Sequence, residues 1–265
     1  MRYIKTFGPC VLAVVALAAL TASAASAEAP EFGRCIKKAK AERAGFSDAG
    51  CTKAVSTRAK YEWTSTILKN KFNGHMTGPL ATLKTVPGAA FGSTKLTCTA
   101  EKSKGAEYSG PKTIANMILE FSGCETSGLK CGNVEGGARG KITTNKLEGV
   151  VGVEGVGTSP ALNKLEVQLG GPGHGPLAEF ECRPSPKFVV SGCVAHPVAT
   201  DKMLLTSSEK FTASQGEQKP DKFAGGPTDE CALGSSVNGG APEEAGLTFT
   251  AQIEGEEKIE ASSVN

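Results

Sequence analysis

Eight cysteines follow an N-terminal segment that has the form of an export signal, and these two features limit the folds open to the chain. Arg2 and Lys5 precede an apolar run over residues 11–20. Small residues then lead to Ala27, as signal peptidase requires. The apolar run is too short to span a bilayer, which takes about 20 residues. We therefore predict cleavage after Ala27 and a mature protein that is secreted or exposed at the cell surface.

An even number of cysteines in an exported chain indicates disulfide bonds. The ninth cysteine, Cys10, lies in the predicted signal. Proximity along the chain and hairpin geometry favour the pairs Cys35–Cys51, Cys124–Cys131, Cys98–Cys182 and Cys193–Cys231. Cys-x-x-Cys spacing is absent and the chain has 3 histidines, so we predict no metal site.

The pattern of residues beyond position 65 predicts an all-β domain. Short runs of alternating or β-branched residues are separated there by Gly, Pro, Ser and Asn. Such spacing is typical of an antiparallel sandwich or barrel-like domain over residues 65–265. The run Thr113–Phe121 leaves a helix open, because Ala115-Asn116-Met117 at its centre weakens the strand pattern. The 33 glycines raise the entropic cost of folding, and disulfides offset part of that cost.

Residues 28–64 form a basic leader that we expect the first disulfide to close. A short helix is favoured over Ile36–Arg43, with Gly45 as its stop. An anionic envelope polymer is a possible partner for this leader; its contacts would be Lys37, Lys38, Lys40 and Arg43. The alternative is an ordinary solvated surface. Polymer binding of this kind weakens steeply with salt, so an affinity that is equal at low and high salt would exclude it.

Global charge gives no support for nucleic-acid or membrane binding. Removal of Arg2 and Lys5 with the signal leaves 27 basic and 27 acidic residues. The formal net charge of the mature chain is then zero, so any electrostatic recognition must be local.

Motifs that carry chemistry are absent from the sequence. It has no Gly-x-Ser-x-Gly elbow, no His-Glu-x-x-His and no phosphate loop, so we predict no cofactor. His75, His174 and His196 each fit an ordinary surface or turn position. Ser191-Gly192-Cys193 is similar to the Ser-His-Gly-Cys motif of L,D-transpeptidases, but it lacks the histidine that would activate the thiol.

Two carboxylates are the weak catalytic candidates. Glu179 and Glu181 flank Phe180 and would share one face of a strand. Two carboxylates on one face can lie near the ~5.5 Å separation of a retaining glycosidase. The same pattern is common on solvent-facing strands, so an ordinary surface remains the alternative.

Several short stretches resemble a group of secreted proteins of soil actinobacteria. They are Pro-Glu-Phe-Gly-Arg-Cys at 30–35, Gly-Cys-Thr at 50–52, Tyr-Glu-Trp at 61–63, Lys-Leu-Thr-Cys at 95–98 and Phe-Ser-Gly-Cys-Glu at 121–125. The resemblance implies export and disulfides, and it supplies no mechanism.

The sequence thus favours a secreted or cell-surface, non-enzymatic β domain with a binding or structural role. The alternative is an extracytoplasmic hydrolase that acts on envelope or plant polysaccharide through Glu179 and Glu181. A concave pocket that joins these two carboxylates would favour the hydrolase.

Overall fold

The computed structural model describes residues 30–42, 45–65, 70–86, 94–134, 136–155, 161–184, 186–200, 202–226 and 230–262. These residues form an almost entirely antiparallel β structure, which confirms the predicted fold class. The predicted signal over residues 1–27 and its cleavage site lie outside the described ranges. None of the helical segments in those ranges is long and apolar enough to cross a membrane.

The strands, in chain order, are β1 (Glu31–Glu42), β2 (Gly45–Phe46), β3 (Ala54–Val55), β4 (Ala59–Thr64), β5 (Lys71–Met76), β6 (Ala81–Thr85), β7 (Lys95–Cys98), β8 (Ala100–Tyr108), β9 (Thr113–Ser122), β10 (Glu125–Thr126), β11 (Leu129–Asn133), β12 (Lys141–Thr143), β13 (Leu147–Glu154), β14 (Ala161–Gly170), β15 (Ala178–Cys182), β16 (Lys187–Pro197), β17 (Leu204–Ser214), β18 (Glu217–Lys219), β19 (Phe223–Ala224), β20 (Leu233–Val237) and β21 (Glu243–Ser262). A single 3₁₀ turn, Pro172–His174, lies between β14 and β15 within the described chain.

Eight strands close into a hydrogen-bonded ring that we call the closed barrel. Its order is β6–β7–β10–β11–β15–β16–β20–β21, and β21 pairs back onto β6. Complete closure leaves no free sheet edge. Apolar side chains fill its interior, including Leu96, Phe180, Val190 and Leu233.

A second group of strands curls beside it and forms what we call the gapped barrel. Its order is β16–β14–β13–β9–β8–β5–β21–β17, with β12 beside β9. Its last strand, β17, returns to face β16, where side chains rather than backbone pairing join the two strands.

The two barrels share strands β16 and β21. Residues 187–192 of β16 pair within the closed barrel, and residues 193–197 pair with β14 of the gapped barrel. Gly192 lies at this crossing with φ of 95°. A Cβ there would stand 2.0 Å from the carbonyl oxygen of Ala232, so only glycine fits.

Four disulfides are present, and two of them differ from the predicted pairs. Cys35–Cys51 and Cys193–Cys231 are bonded as expected. The predicted pairs Cys124–Cys131 and Cys98–Cys182 are wrong, because the bonds are Cys98–Cys124 and Cys131–Cys182. The physical reason is the order of the ring. The hairpin β10–β11 lies between β7 and β15, so each hairpin cysteine bonds the strand on its own side.

The leader is extended in the structure. Residues Ile36 to Glu42, favoured as a short helix, lie in β1, and Arg43 lies outside the described residues. Residues 34–37 pair with β4, while residues 31–33 pair with the end of β21. These ladders hold the backbone extended. The run Thr113–Phe121, for which a helix was left open, belongs to β9.

Loss of the Cys131–Cys182 bond should destabilise the protein more than loss of Cys35–Cys51. The two bonds span sequence separations of 51 and 16 residues. The chain-entropy model gives roughly 4 kcal/mol for the longer loop and roughly 3 kcal/mol for the shorter. Urea unfolding of the two double alanine variants measures both losses. A larger loss for the Cys35–Cys51 variant would contradict this ranking.

Candidate functional site

The catalytic candidates Glu179 and Glu181 lie on the outer wall of β15. Phe180 between them is buried in the closed barrel. Glu179 Oε2 lies 3.2 Å from Lys187 Nζ, and Arg183 donates to Glu181. Each carboxylate is thus partly solvated and paired with a basic side chain. Neither lines the cavities described below, and their catalytic role stays a prediction.

The four leader cations do not share one face of a strand. Lys37 is exposed, whereas the Lys38 side chain is 10% exposed and its Nζ lies 3.4 Å from Glu62 Oε2. Consecutive strand residues point to opposite faces, which separates the two amines. The side chains of Lys40 and Arg43 lie outside the described residues. The anionic-polymer contact therefore stays a prediction.

Among the described residues, the cysteine and histidine candidates supply neither a free thiolate nor a metal site. Cys193 is bonded to Cys231, so the resemblance of Ser191-Gly192-Cys193 to a transpeptidase motif has no free thiolate behind it. His75 is exposed on β5, and the His174 side chain lies outside the described residues. Across the described ranges, no group of three or more metal-ligating side chains comes together.

A cleft of about 470 Å³ opens beside the point where β16 crosses between the barrels. Its walls are the outer face of β13 and β14, the loop after β14, the crossing on β16 and the segment before β20. The lining residues are Glu148, Val150, Gln168, Gly170, Gly171, Gly173, Gly192, Cys193, Glu230 and Ala232. Glycine backbone forms much of the wall, and exposed Glu148 and Glu230 supply the charge. This surface suits close approach of an extended chain.

The gapped barrel encloses a second, smaller space. Its cavity of about 60 Å³ is lined mainly by apolar and aromatic side chains, and also by Glu101, Tyr108, His196, Ser207 and Glu209. A neighbouring pocket of about 70 Å³ shares part of this lining, including Phe32, Phe72 and Tyr108. Burying a polar group inside a barrel lowers the stability of the fold unless the group is hydrogen-bonded or ion-paired.

A buried pair of side chains joins β16 to β17. His196 Nδ1 lies 2.9 Å from Glu209 Oε2, and both side chains are more than nine-tenths buried. Ser207 Oγ donates to Glu209 Oε1 at 2.6 Å, and the His196 ring lies 4.6 Å from that of Phe211. Burial by itself would raise the pKa of Glu209, but the charge and hydrogen bond of His196 lower it below the usual value. The pair therefore joins β16 to β17 across the gap.

Two further groups in this cavity have perturbed acidity. Burial raises the pKa of Glu101 to about 7. Burial, together with the negative charge of Glu209, raises the pKa of the Tyr108 hydroxyl above its usual range. A third buried carboxyl, Glu166 on β14, lies outside this cavity. Burial first, and then the charge of Glu154, raise the pKa of Glu166 to about 8, although Lys164 opposes the shift.

Sequence reasoning missed Glu101, His196 and Glu209. Strand β8 reads Glu-Lys-Ser-Lys from residue 101, so both of its faces are polar and alternation does not reveal the buried one. His196 fits a surface or turn position by its sequence, but it is buried and pairs with Val167 inside a sheet. The signal that could have revealed Glu209 as buried was Phe211, because residues two positions apart in a strand share a face.

Searches against family models, curated proteins and solved structures found no match. Functional inference therefore depends on the residues of this chain alone.

Glu101 should give the protein a measurable pH dependence of stability. Its carboxyl ionises near 4.5 in the unfolded chain and near 7 when folded. The folded state then holds the extra proton, so the free energy of unfolding falls as pH rises from about 4.5 to 7, by roughly 3 kcal/mol. Urea unfolding across this range should show a slope in the wild type that Glu101→Gln reduces, while the part due to Glu166 remains. Glu166→Gln should instead flatten a slope that continues to about pH 8. Identical slopes in wild type and Glu101→Gln would refute this assignment.

Proposed function

We propose that this is an exported, non-enzymatic binding protein that holds an extended, positively charged polymer segment in the cleft beside the barrel junction. Export rests on the predicted signal over residues 1–27. The four disulfides and an all-β fold are consistent with an extracytoplasmic location.

The observation that carries the proposal is the glycine-walled cleft. At about 470 Å³ it falls within the range of small-ligand sites. Gly170, Gly171 and Gly173 present backbone without side chains, so a polymer can lie close to the main chain. Strands β13 and β14 fix one wall, and the Cys193–Cys231 bond fixes the opposite one. Rigid walls reduce the entropic cost of binding.

The charge of the lining selects the ligand class. Among the described residues that line the cleft, Glu148 and Glu230 are the ionisable ones, and none is lysine or arginine. Lys222 contacts Glu230 from outside it. A ligand that carries ammonium groups, such as an amino-sugar polymer or a lysine-rich peptide, complements this surface.

Binding is favoured over hydrolysis by the surroundings of the carboxylates. A glycosidase acid needs a carboxyl shielded from water, so that its pKa rises into the working range. Glu148, Glu179 and Glu230 are exposed, and Glu181 is partly exposed and bonded to Arg183. The hydrolase remains the alternative, and the experiment below distinguishes it.

A substitution that fills the cleft should abolish binding without unfolding the protein. A Cβ on Gly170 would meet its nearest atom, the carbonyl oxygen of Gly192, at 3.5 Å, so the backbone tolerates a side chain there. Gly170→Val should weaken retention of a chitosan hexamer about tenfold or more, a loss of about 1.4 kcal/mol. Glu148→Gln should weaken it in the same direction by removing charge.

Gly234→Val is the matched control. Gly234 lies in β20 and does not line the cleft, and its Cβ would also meet the nearest atom at 3.5 Å. This variant should bind chitosan hexamer like the wild type, and the fully N-acetylated hexamer should bind weakly to all variants. Equal binding of both sugars, or none, contradicts the proposal. Shortened sugars produced by the wild type but not by Glu179→Gln or Glu181→Gln would establish the hydrolase instead.

A further inference from the structure

Glu101 is a buried carboxyl that faces a cavity. It projects from β8 into the gapped barrel and is 4% exposed. Its Oε2 atom makes no hydrogen bond to any described residue. A buried polar atom without a partner is uncommon in folded proteins and points to a bound group or a functional role. The other carboxylate of this cavity, Glu209, accepts a hydrogen bond from Ser207 and lies 2.9 Å from His196 Nδ1.

Aromatic rings surround the same space. Phe32, Phe72, Tyr108, Phe211 and Phe249 all line it. The Tyr108 ring lies 4.8 Å from Phe32 and 5.0 Å from Phe72, measured between centroids. Phe211 stacks on Phe249 at 4.3 Å. Ring faces attract cations, and aromatic walls are the usual surroundings of bound organic ammonium groups.

A pocket that reaches the surface adjoins the cavity. The pocket of about 70 Å³ beside it shares Phe32, Phe72 and Tyr108, and it is also lined by exposed Leu205 and Lys202. A water molecule requires about 10–15 Å³ by this measure, so the inner cavity of about 60 Å³ has room for roughly four to six non-hydrogen atoms. The occupant must therefore be small.

We propose that the gapped barrel is a binding site for a small primary alkylammonium ion, whose charged nitrogen pairs with Glu101 while its alkyl chain packs on the aromatic walls. This site is separate from the cleft and does not depend on the function proposed for it.

The side chains that line the cavity do not suit a calcium ion, an anion or a neutral hydrocarbon. Calcium takes 6–8 oxygen ligands, whereas the cavity offers one carboxylate without a full set of partners among apolar walls. An anion would meet the carboxylates of Glu101 and Glu209. A neutral hydrocarbon would leave the carboxylate buried and unpaired. An alkylammonium ion satisfies both the charge and the apolar surface.

Protonation of Glu101 should control this binding. The ionisable groups that line the cavity are Glu101 and Tyr108 on β8, His196 on β16 and Glu209 on β17, and the adjoining pocket is also lined by Lys202, Glu257 and Glu260. Because burial raises the pKa of Glu101 to about 7, the carboxylate forms above that pH. Affinity for the ammonium ion should therefore fall about tenfold for each pH unit below about 7.

The experiment compares n-butylammonium with the neutral 1-butanol, which has the same number of non-hydrogen atoms. Titration calorimetry and the ligand-induced rise in melting temperature are measured at pH 8.5 on the full mature protein. We expect n-butylammonium to bind wild type about tenfold or more tightly than 1-butanol, and Glu101→Gln to lose that preference. Glu166→Gln is the matched control. It neutralises another buried carboxyl, 1% exposed, that does not line the cavity, and it should bind n-butylammonium like wild type.

The pH series on wild type tests the proposal without any variant, should Glu101→Gln fail to fold. Tighter binding of n-butylammonium above about pH 7 than at pH 5 supports it. Equal binding of the two molecules, binding that is unchanged by pH, or a loss in Glu166→Gln as large as that in Glu101→Gln would overturn it.

Discussion

Strands β16 and β21 run through both barrels, and the rest of the fold depends on their register. The first half of each strand closes the hydrogen-bonded ring of the closed barrel, and the second half bounds the gapped barrel. A slip of one residue in either strand would turn the interior side chains of both barrels outward at once. The crossing on β16 accordingly requires glycine at position 192, where the carbonyl of Ala232 leaves no room for a Cβ.

The two barrels are held closed by different means. In the closed barrel, Cys98–Cys124 and Cys131–Cys182 link the hairpin β10–β11 to the strands on either side of it, and two-residue β10 has little pairing of its own. The gapped barrel relies on aromatic packing and on the buried contact of His196 with Glu209. The interior of the disulfide-linked closed barrel is mainly apolar, whereas the interior of the gapped barrel also contains polar side chains. Glu101 is one of these polar side chains, and it faces a cavity that is also lined by His196 and Glu209.

Local sequence patterns were sufficient for the fold class but not for the arrangement. Runs of alternating residues marked most strands, because alternation reflects one buried face. The leader strand escaped notice because its lysines and alanines also suit a helix, and its partners in β4 and β21 are distant along the chain. Cys98 and Cys131 were mispaired for the same reason, since the ring order is a tertiary property. Glu101 and Glu209 could not be found from composition, because a carboxylate in an alternating strand is ordinarily on the wet face.

The central claim is that disulfides hold the closed barrel while packing and the His196–Glu209 contact hold the gapped one. Native-state hydrogen exchange with and without a thiol reductant tests it most directly. The account predicts that reduction removes the protection of amides in β7, β11 and β15, while β8, β9 and β14, which carry no cysteine, keep theirs. Full protection of β7, β11 and β15 in protein whose thiols are shown to be free, or loss confined to the gapped barrel, would contradict it.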